Sequence, residues 1–338
     1  MRIGANPAKE KNNIDIESYH RVVMPIYIPN LSEEYFKDGL KILKICIESL
    51  LMTIHEKTRV SLVNNNCCKE VTEYLELVFK EHEFIDQVFN SKVNLGKVNA
   101  IYSIVKSNLE PLITISDSDV MFLPNWQQEV ENVLNLIPEA GMVSPVPSSK
   151  AYSSRCLNST IFYGFLKRKI KFSKVLNPEG MINFQKSIGR EKMYNKNHLD
   201  KYLTIENSKT KAVLGCGHFV ATLRSEVFKS SPLEVCKHKI VSGSETEYID
   251  KPNDKAGFLR LATLGNHAYH LGNKFENWML SDLNKIKITN FDKTYLESLA
   301  KAKPLNKLGY SLGVFLHFLF FRKFKSFYFK FKGVKGLY

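Results

Sequence analysis

Apolar positions in the first third of the chain fall into short runs separated by amphipathic stretches. Arg21-Val22-Val23-Met24-Pro25-Ile26-Tyr27-Ile28 reads as a first strand ending in a loop. Ser32 reads as the N-cap of a long helix to about His55, with Leu40, Ile42, Leu43, Ile45, Ile47, Leu50 and Leu51 as its apolar positions. Arg59 to Val63 is a second strand running into Asn64-Asn65-Asn66, and a helix follows from Lys69 to about Glu81. A short strand near Ile85 to Phe89 leads through Asn94-Leu95-Gly96-Lys97 into a third helix, through Val105. Pro111-Leu112-Ile113-Thr114-Ile115-Ser116 is then a buried strand. Strands alternating with helices in this rhythm predict a mostly parallel sheet flanked by helices, with right-handed crossovers. The ligand crevice of such a sheet lies beyond the carboxyl ends of its strands. Tyr27, Asn64 to Asn66, Asn94 to Lys97 and Asp117 to Asp119 all fall at such ends.

Asp117-Ser118-Asp119 carries the most chemistry. Two carboxylates at the mouth of a core strand are costly unless something cationic compensates them. Strand alternation sends both to one side, toward a divalent ion or an ion plus a sugar hydroxyl. A solvated turn is the bland alternative, but Val120-Met121-Phe122-Leu123 continues apolar, so the acids interrupt a hydrophobic stretch.

Residues 150–211 differ in character, with 14 Lys or Arg against 4 Asp or Glu and weak periodicity. They read as a basic insertion, either solvated and mobile or facing an acceptor or membrane. Order returns at Ala212 to Phe228, which contains Gly215-Cys216-Gly217-His218-Phe219. A short helix starts near Glu245, limited by Pro252. Strand-like Phe258 to Leu261 and His267 to Asn273 follow. The end of the chain combines Val314 to Phe321 with Arg322, Lys323, Lys325, Lys330, Lys332 and Lys335, interleaved with Phe324, Phe327, Tyr328, Phe329 and Phe331. No acid occurs after Glu297. That combination suits an interfacial segment on an anionic membrane, with a helix packed on the catalytic domain as the alternative.

A net charge of +14 implies an anionic partner. No nucleic-acid module accompanies the basic residues, so nucleic acid is not expected. The six cysteines form no C-x-x-C pair, which favours reduced thiols in a cytoplasm. Met1 to Asn13 is polar, without the apolar core of a signal peptide, and no stretch reaches the ~20 apolar residues of a bilayer span. The expected location is cytoplasmic, peripheral to the inner face of the cell membrane. The expected partition is a polar leader (1–20), a main domain (21–290) and a basic aromatic helical tail (291–338).

In their order and spacing these elements resemble a family 2 glycosyltransferase of the GT-A fold, of bacterial cell-surface glycan type. The resemblance covers roughly Arg21 to Asn273. It implies a nucleotide-sugar donor, with a UDP-sugar favoured, a divalent metal (Mn2+ or Mg2+), an inverting mechanism and a glycan or lipid-linked acceptor. It implies donor contacts at Pro25, Tyr27, Asn64, Asn66, Lys97, Asp117, Ser118 and Asp119, and metal ligation by Asp119 and His270. Inversion needs a base for the acceptor hydroxyl. The family usually presents Glu-Asp where this chain has Glu245-Thr246, so Glu245, Glu247 and Asp250 are the candidates. A second departure is Asn64-Asn65-Asn66 in place of an aspartate-led turn. These departures keep open a catalytically degenerate binding protein. A nucleotidyltransferase is a further alternative, but no glycine-rich phosphate loop follows the first strand.

Overall fold

The computed structural model describes residues 3–4, 6, 14, 16–166, 169–239, 243–332 and 338. Most of the leader expected over 1–20 therefore lies outside the described residues, as do Lys335 and the side chains of Phe321 and Arg322.

The first part of the chain follows the predicted rhythm: β1 (His20–Ile26), α1 (Gly39–Thr53), β2 (Thr58–Asn65), α2 (Lys69–Glu81), β3 (Ile85–Ser91), α3 (Lys97–Val105) and β4 (Leu112–Ser116). The first helix begins at Gly39, not at Ser32. Asn30 Oδ1 accepts from the backbone N–H of Ser32 (3.2 Å) and Glu33 (2.9 Å), and this local turn replaces a helical start. Next come β5 (Val120–Phe122), α4 (Trp126–Leu136), β6 (Ala140–Ser144), α5 (Asn158–Leu166), β7 (Ile170–Lys174), α6 (Pro178–Ser187) and α7 (Lys196–Asp200). They are followed by β8 (Lys201–Glu206), β9 (Lys211–Leu214), β10 (Val220–Arg224), α8 (Lys251–Lys255), β11 (Leu259–Ala262) and β12 (Ala268–His270). Three helices, α9 (Asn277–Ile288), α10 (Lys307–Leu319) and α11 (Lys325–Phe331), complete the order.

Ten strands form one sheet in the order β3-β2-β1-β4-β10-β6-β11-β9-β8-β7. Alternation along β1 sorts the core into two layers. Val22, Met24 and Ile26 pack with Leu43, Ile47 and Leu50 of α1 on one face, while Val23 packs with Ile101 and Ile104 of α3 on the other.

The expectation of a mostly parallel sheet is corrected. The pairs β1/β2, β1/β4, β2/β3 and β6/β11 are parallel, whereas β4/β10, β6/β10, β9/β11, β8/β9 and β7/β8 are antiparallel. Strand–helix alternation governs only the first four strands. Beyond them β8 and β9 join through a tight turn at Asn207, whose Oδ1 accepts from Lys209 N and Thr210 N at 2.8 Å each. Residues 150–211 are thus built into the sheet and core, through buried Ile161, Ile170, Tyr202 and Leu203, rather than looped out from it.

Candidate active site

Two strand pairings assemble the site from distant parts of the chain. β10 runs antiparallel to β4 with Val220 opposite Ser116, and Asp117 N donates to Phe219 O at 2.7 Å. This sets His218 and Phe219 against the D-x-D. β5 and β12 form a separate two-stranded sheet in which His270 opposes Val120, and Leu271 N donates to Asp119 O at 2.7 Å. Backbone hydrogen bonds therefore fix His270 beside Asp119. Gly96, at φ +78°, precedes α3, and a Cβ there would lie 2.8 Å from His238 O. Only glycine fits this approach, which seats Lys97 at the head of α3.

The resulting cleft, of about 560 Å³, lies at the carboxyl ends of β1, β2 and β4. Pro25, Tyr27, Lys97, Asp117, Ser118, Asp119 and Glu245 line it. Tyr27 meets Phe36 edge to face at 6.0 Å and, with Tyr35, gives one wall an aromatic character. Lys97 Nζ ion-pairs Asp117 Oδ1 and lies 2.5 Å from Glu245 Oε1. Burial alone would lower the Lys97 pKa, but the charges of Asp117 and Glu245 outweigh it and raise it.

A second line of charges runs inward from Glu245. Its Oε2 is 3.4 Å from His218 Nε2, His218 Nδ1 is 3.4 Å from Asp250 Oδ2, and Asp250 Oδ1 is 3.0 Å from Arg260 Nη2. Burial pushes Asp250 up, but Arg260 and His218 win and hold it below the usual carboxylate range. Asp250 is thus a buried counter-ion for Arg260 and His218 and does not line the cleft. Glu247 does not line it either: it is 56% exposed and pairs with Lys251 at 2.6 Å. Of the three acids expected near the base position, Glu245 is the one in the cleft.

Asn64 and Asn66 also fall outside the cleft lining. Asn64 donates to Thr72 Oγ1 (3.0 Å) and Asn90 Oδ1 (2.9 Å) and accepts from Cys67 N (3.0 Å), which commits it to shaping the turn. Asn66 adopts φ 69° as the turn residue itself. Asn65 is the one that faces the cleft, because alternation along β2 sends it opposite to Asn64. Asn65, His218 and Phe219 line the cleft but are not among the expected donor, metal or base residues. The strand period could have found Asn65, and the glycines around His218 marked that loop.

Asp119 and His270 fit a divalent cation. Asp119 Oδ1 is buried with no hydrogen-bond partner among the described residues, and Oδ2 is 3.5 Å from His270 Nε2. His270 Nδ1 is anchored on Ser187 Oγ at 3.0 Å, leaving Nε2 turned toward Asp119. Burial pushes the Asp119 carboxyl up to about 6, against the pull of His270, the largest opposing influence. A carboxylate oxygen with an imidazole nitrogen suits a divalent cation together with substrate oxygens.

A different cluster, His20, His55 and Glu131, also has ligand atoms close together. It lies at the far end of β1, roughly 20 Å from the cleft by strand rise. Its ring nitrogens are already committed: His20 to Glu131 Oε1 (2.6 Å) and Thr114 Oγ1 (2.7 Å), His55 to Glu131 Oε1 (3.0 Å) and Thr58 Oγ1 (3.1 Å). These atoms are satisfied within the protein and fit a structural network rather than a metal centre.

No family model matches the chain, and no curated protein matches it. Among solved structures it is similar to the mannosyltransferase PcManGT from Pyrobaculum calidifontis in complex with GDP-Man and Mn2+, at 12% identity, 75% of this chain, 58% of that chain and a TM-score of 0.40. It is also similar to S. aureus TarS 1-349, at 12% identity, 90% of this chain, 73% of that one and a TM-score of 0.43. A third is GalNAc-T7 with UDP, GalNAc and Mn2+, at 12% identity, 76% of this chain, 44% of that one and a TM-score of 0.47. The chain thus spans less than two thirds of the first and third of these proteins.

Proposed function

We propose that the protein is an inverting, metal-dependent glycosyltransferase of the GT-A type and of family 2 character. It moves a sugar from a nucleotide-diphosphate donor, a UDP-sugar in this reading, to a glycan or lipid-linked acceptor. The observation that carries this is Asp119. A half-buried carboxylate with one buried, unpartnered oxygen, its other oxygen 3.5 Å from His270 and sharing a cleft with Asp117, Lys97 and Glu245, is incomplete without a cation.

Asp119 and His270 hold the metal, which when bound stabilises charge on the leaving diphosphate as a Lewis acid. Asp117 accepts from donor hydroxyls, and Lys97 adds positive charge beside the phosphates. Tyr27 and the aromatic wall flank the nucleobase, while Asn65, whose Nδ2 donates to Asn94 Oδ1 at 3.1 Å and whose Oδ1 accepts from Leu95 N at 2.7 Å, braces the loop before Gly96. Glu245 takes the proton of the acceptor hydroxyl as that oxygen attacks the sugar carbon and the bond to the diphosphate breaks. His218 and Lys97 orient its two oxygens. We place the protein in the cytoplasm, peripheral to the inner face of the cell membrane, where a lipid-linked acceptor is presented.

The binding-protein reading draws on one observation, the engagement of both Glu245 oxygens by cationic neighbours. The deciding experiment is a thermal-shift screen of nucleotide sugars with and without Mn2+, followed by donor hydrolysis. A true donor at 100 times its Kd stabilises the fold by about 2.7 kcal/mol. Stabilisation that needs Mn2+, with hydrolysis lost in Asp119→Ala, is the expected result. A donor that binds but is hydrolysed no faster by wild type than by Asp119→Ala leaves the binding-protein reading. No shift with any nucleotide sugar overturns both.

A further inference from the structure

α10 packs on the domain the wrong way round for a surface helix. Its closest approach to the domain is made through two buried glycines. A Cβ at Gly313 would lie 2.2 Å from Asn158 O of α5, and one at Gly309 would lie 3.1 Å from Phe162 Cε1. Its outward side carries Leu308, Leu312 and Phe315, spaced i, i+4, i+7 on one stripe. They are 65%, 45% and 59% exposed. Ordinary amphipathic helices turn such a stripe toward the core.

α11 repeats the arrangement. Phe329 is buried, and its ring meets those of Tyr152 and Phe172 at 5.5 Å and 5.4 Å, so the helix is docked. Phe327 and Phe331, one turn apart, are nevertheless 71% and 75% exposed. Lys323, Lys330 and Lys332 are exposed among these apolar positions. From residue 298 onward there are nine Lys or Arg and no Asp or Glu. No helix among the described residues is long and apolar enough to cross a membrane.

We propose that the outward face of α10 and α11 seats the protein on an anionic phospholipid surface, with Leu312, Phe315, Phe327 and Phe331 entering the headgroup boundary. Charge complementarity selects this occupant: a purely apolar partner has no use for the exposed Lys323, Lys330 and Lys332, and a nucleic acid has no use for the aliphatic stripe. The inward glycines hold α10 close to α5, so the apolar face is presented on a rigid support. This gives the proposed peripheral localisation a surface, and it stands whether or not the cleft transfers sugar.

The test uses the full chain and sedimentation with vesicles of phosphatidylcholine, with or without one quarter phosphatidylglycerol. Wild type should co-sediment with the anionic vesicles, weakly with the neutral ones, and less as salt rises. Leu312→Ser/Phe315→Ser and, separately, Phe327→Ser/Phe331→Ser should each reduce partitioning by roughly tenfold with an unchanged melting temperature, since these side chains support no core. Wild type that ignores anionic vesicles overturns the proposal. So does binding that both variants keep, which would assign the effect to net charge alone. A wild-type dimer that the same substitutions dissolve, without any vesicle binding, would make the occupant a second copy of the chain. Donor thermal shift in the same variants separates the two proposals, because it should not change.

Discussion

Lys97 Nζ lies 2.5 Å from Glu245 Oε1 while also ion-pairing Asp117, so one ammonium joins the head of α3, the end of β4 and the helical turn before α8. Without it two carboxylates would face one another across the cleft. Lys97→Met keeps the length of the side chain and removes its charge. Donor hydrolysis in the presence of Mn2+ should fall by ~10²-fold in kcat/KM, as for loss of one preorganised electrostatic contact. Lys97→Arg, which keeps the charge but not the compact ammonium, should fall less. Equal rates for Lys97→Met and wild type would reduce the lysine to a solvated surface charge.

His218 stands between Glu245 and Asp250. Burial lowers its pKa, but the nearby carboxylates of Asp250 and Glu245 prevail and raise it. A raised folded-state pKa gives stability that is fully present below the unfolded value near 6.5 and fades as pH rises through the folded one. His218→Asn should therefore melt below wild type most clearly at pH 5.5, by about 1 kcal/mol after allowing for its partial exposure. The gap should narrow toward pH 9. A gap that widens with pH would show that the imidazole is bound neutral.

The first half of this site was legible in the sequence because its parts are local. A strand, a polar turn and a helix repeat in order, so Tyr27, Lys97 and Asp117 could be placed on one edge without knowing any long-range pairing. Asn65 is absent from the expected donor contacts, which name Asn64 and Asn66, because the strand runs on to Asn65, past its expected end at Val63, and its alternation turns Asn64 and Asn65 to opposite sides. His218 and His270 depend on antiparallel pairings of β10 and β12 with strands far back in the chain. No periodicity encodes such pairings. The lysine-rich segment 150–211 hid its strands for another reason: Lys171, Lys174, Lys201 and Lys211 sit on strands at one side of the sheet, where charge is tolerated, and they mask the buried Ile170, Tyr202 and Val213.

Glu131 predicts how the fold fails in acid. Burial pushes its carboxyl up, but the bonds from His20 and His55 overcome this and bring it down to about 2, from an ordinary value near 4.5. A depressed carboxylate contributes stability that is present above the unfolded value and lost as pH falls toward the folded one. That window, between about 4.5 and 2, is worth about 3 kcal/mol. His20 is lowered by burial and adds loss in the same direction from about pH 6.5 downward. Denaturant melts at pH 7, 5 and 3.5 should show this decline. Glu131→Gln should start about 2–4 kcal/mol lower at pH 7, because the charge is lost and a donor amide replaces one of the two oxygens that Tyr19, His20 and His55 share, and should decline less in acid. Parallel declines in the two proteins would place the acid sensitivity elsewhere.

Gly313 tests whether close packing of α10 holds the C-terminal helices to the domain. A Cβ at this position would meet Asn158 O at 2.2 Å and Phe162 Cβ at 3.2 Å, and both belong to α5, whose backbone cannot retreat without disturbing Asp254. The Asp254 carboxylate accepts from Asn158 N at 3.1 Å and Ser159 N at 2.8 Å, so it fixes the start of α5. Gly313→Ala should therefore move α10 rather than α5. The expected destabilisation is about 1–3 kcal/mol, despite the better helix propensity of alanine. Limited proteolysis should cut faster in the extended connector 298–306, while a cleft ligand should bind as in wild type. Ser311→Ala, on an exposed position of the same helix, should gain slightly from propensity and leave the proteolytic pattern alone. An unchanged pattern in Gly313→Ala would mean that α10 is held by Phe320 and Tyr328 and not by its glycine face.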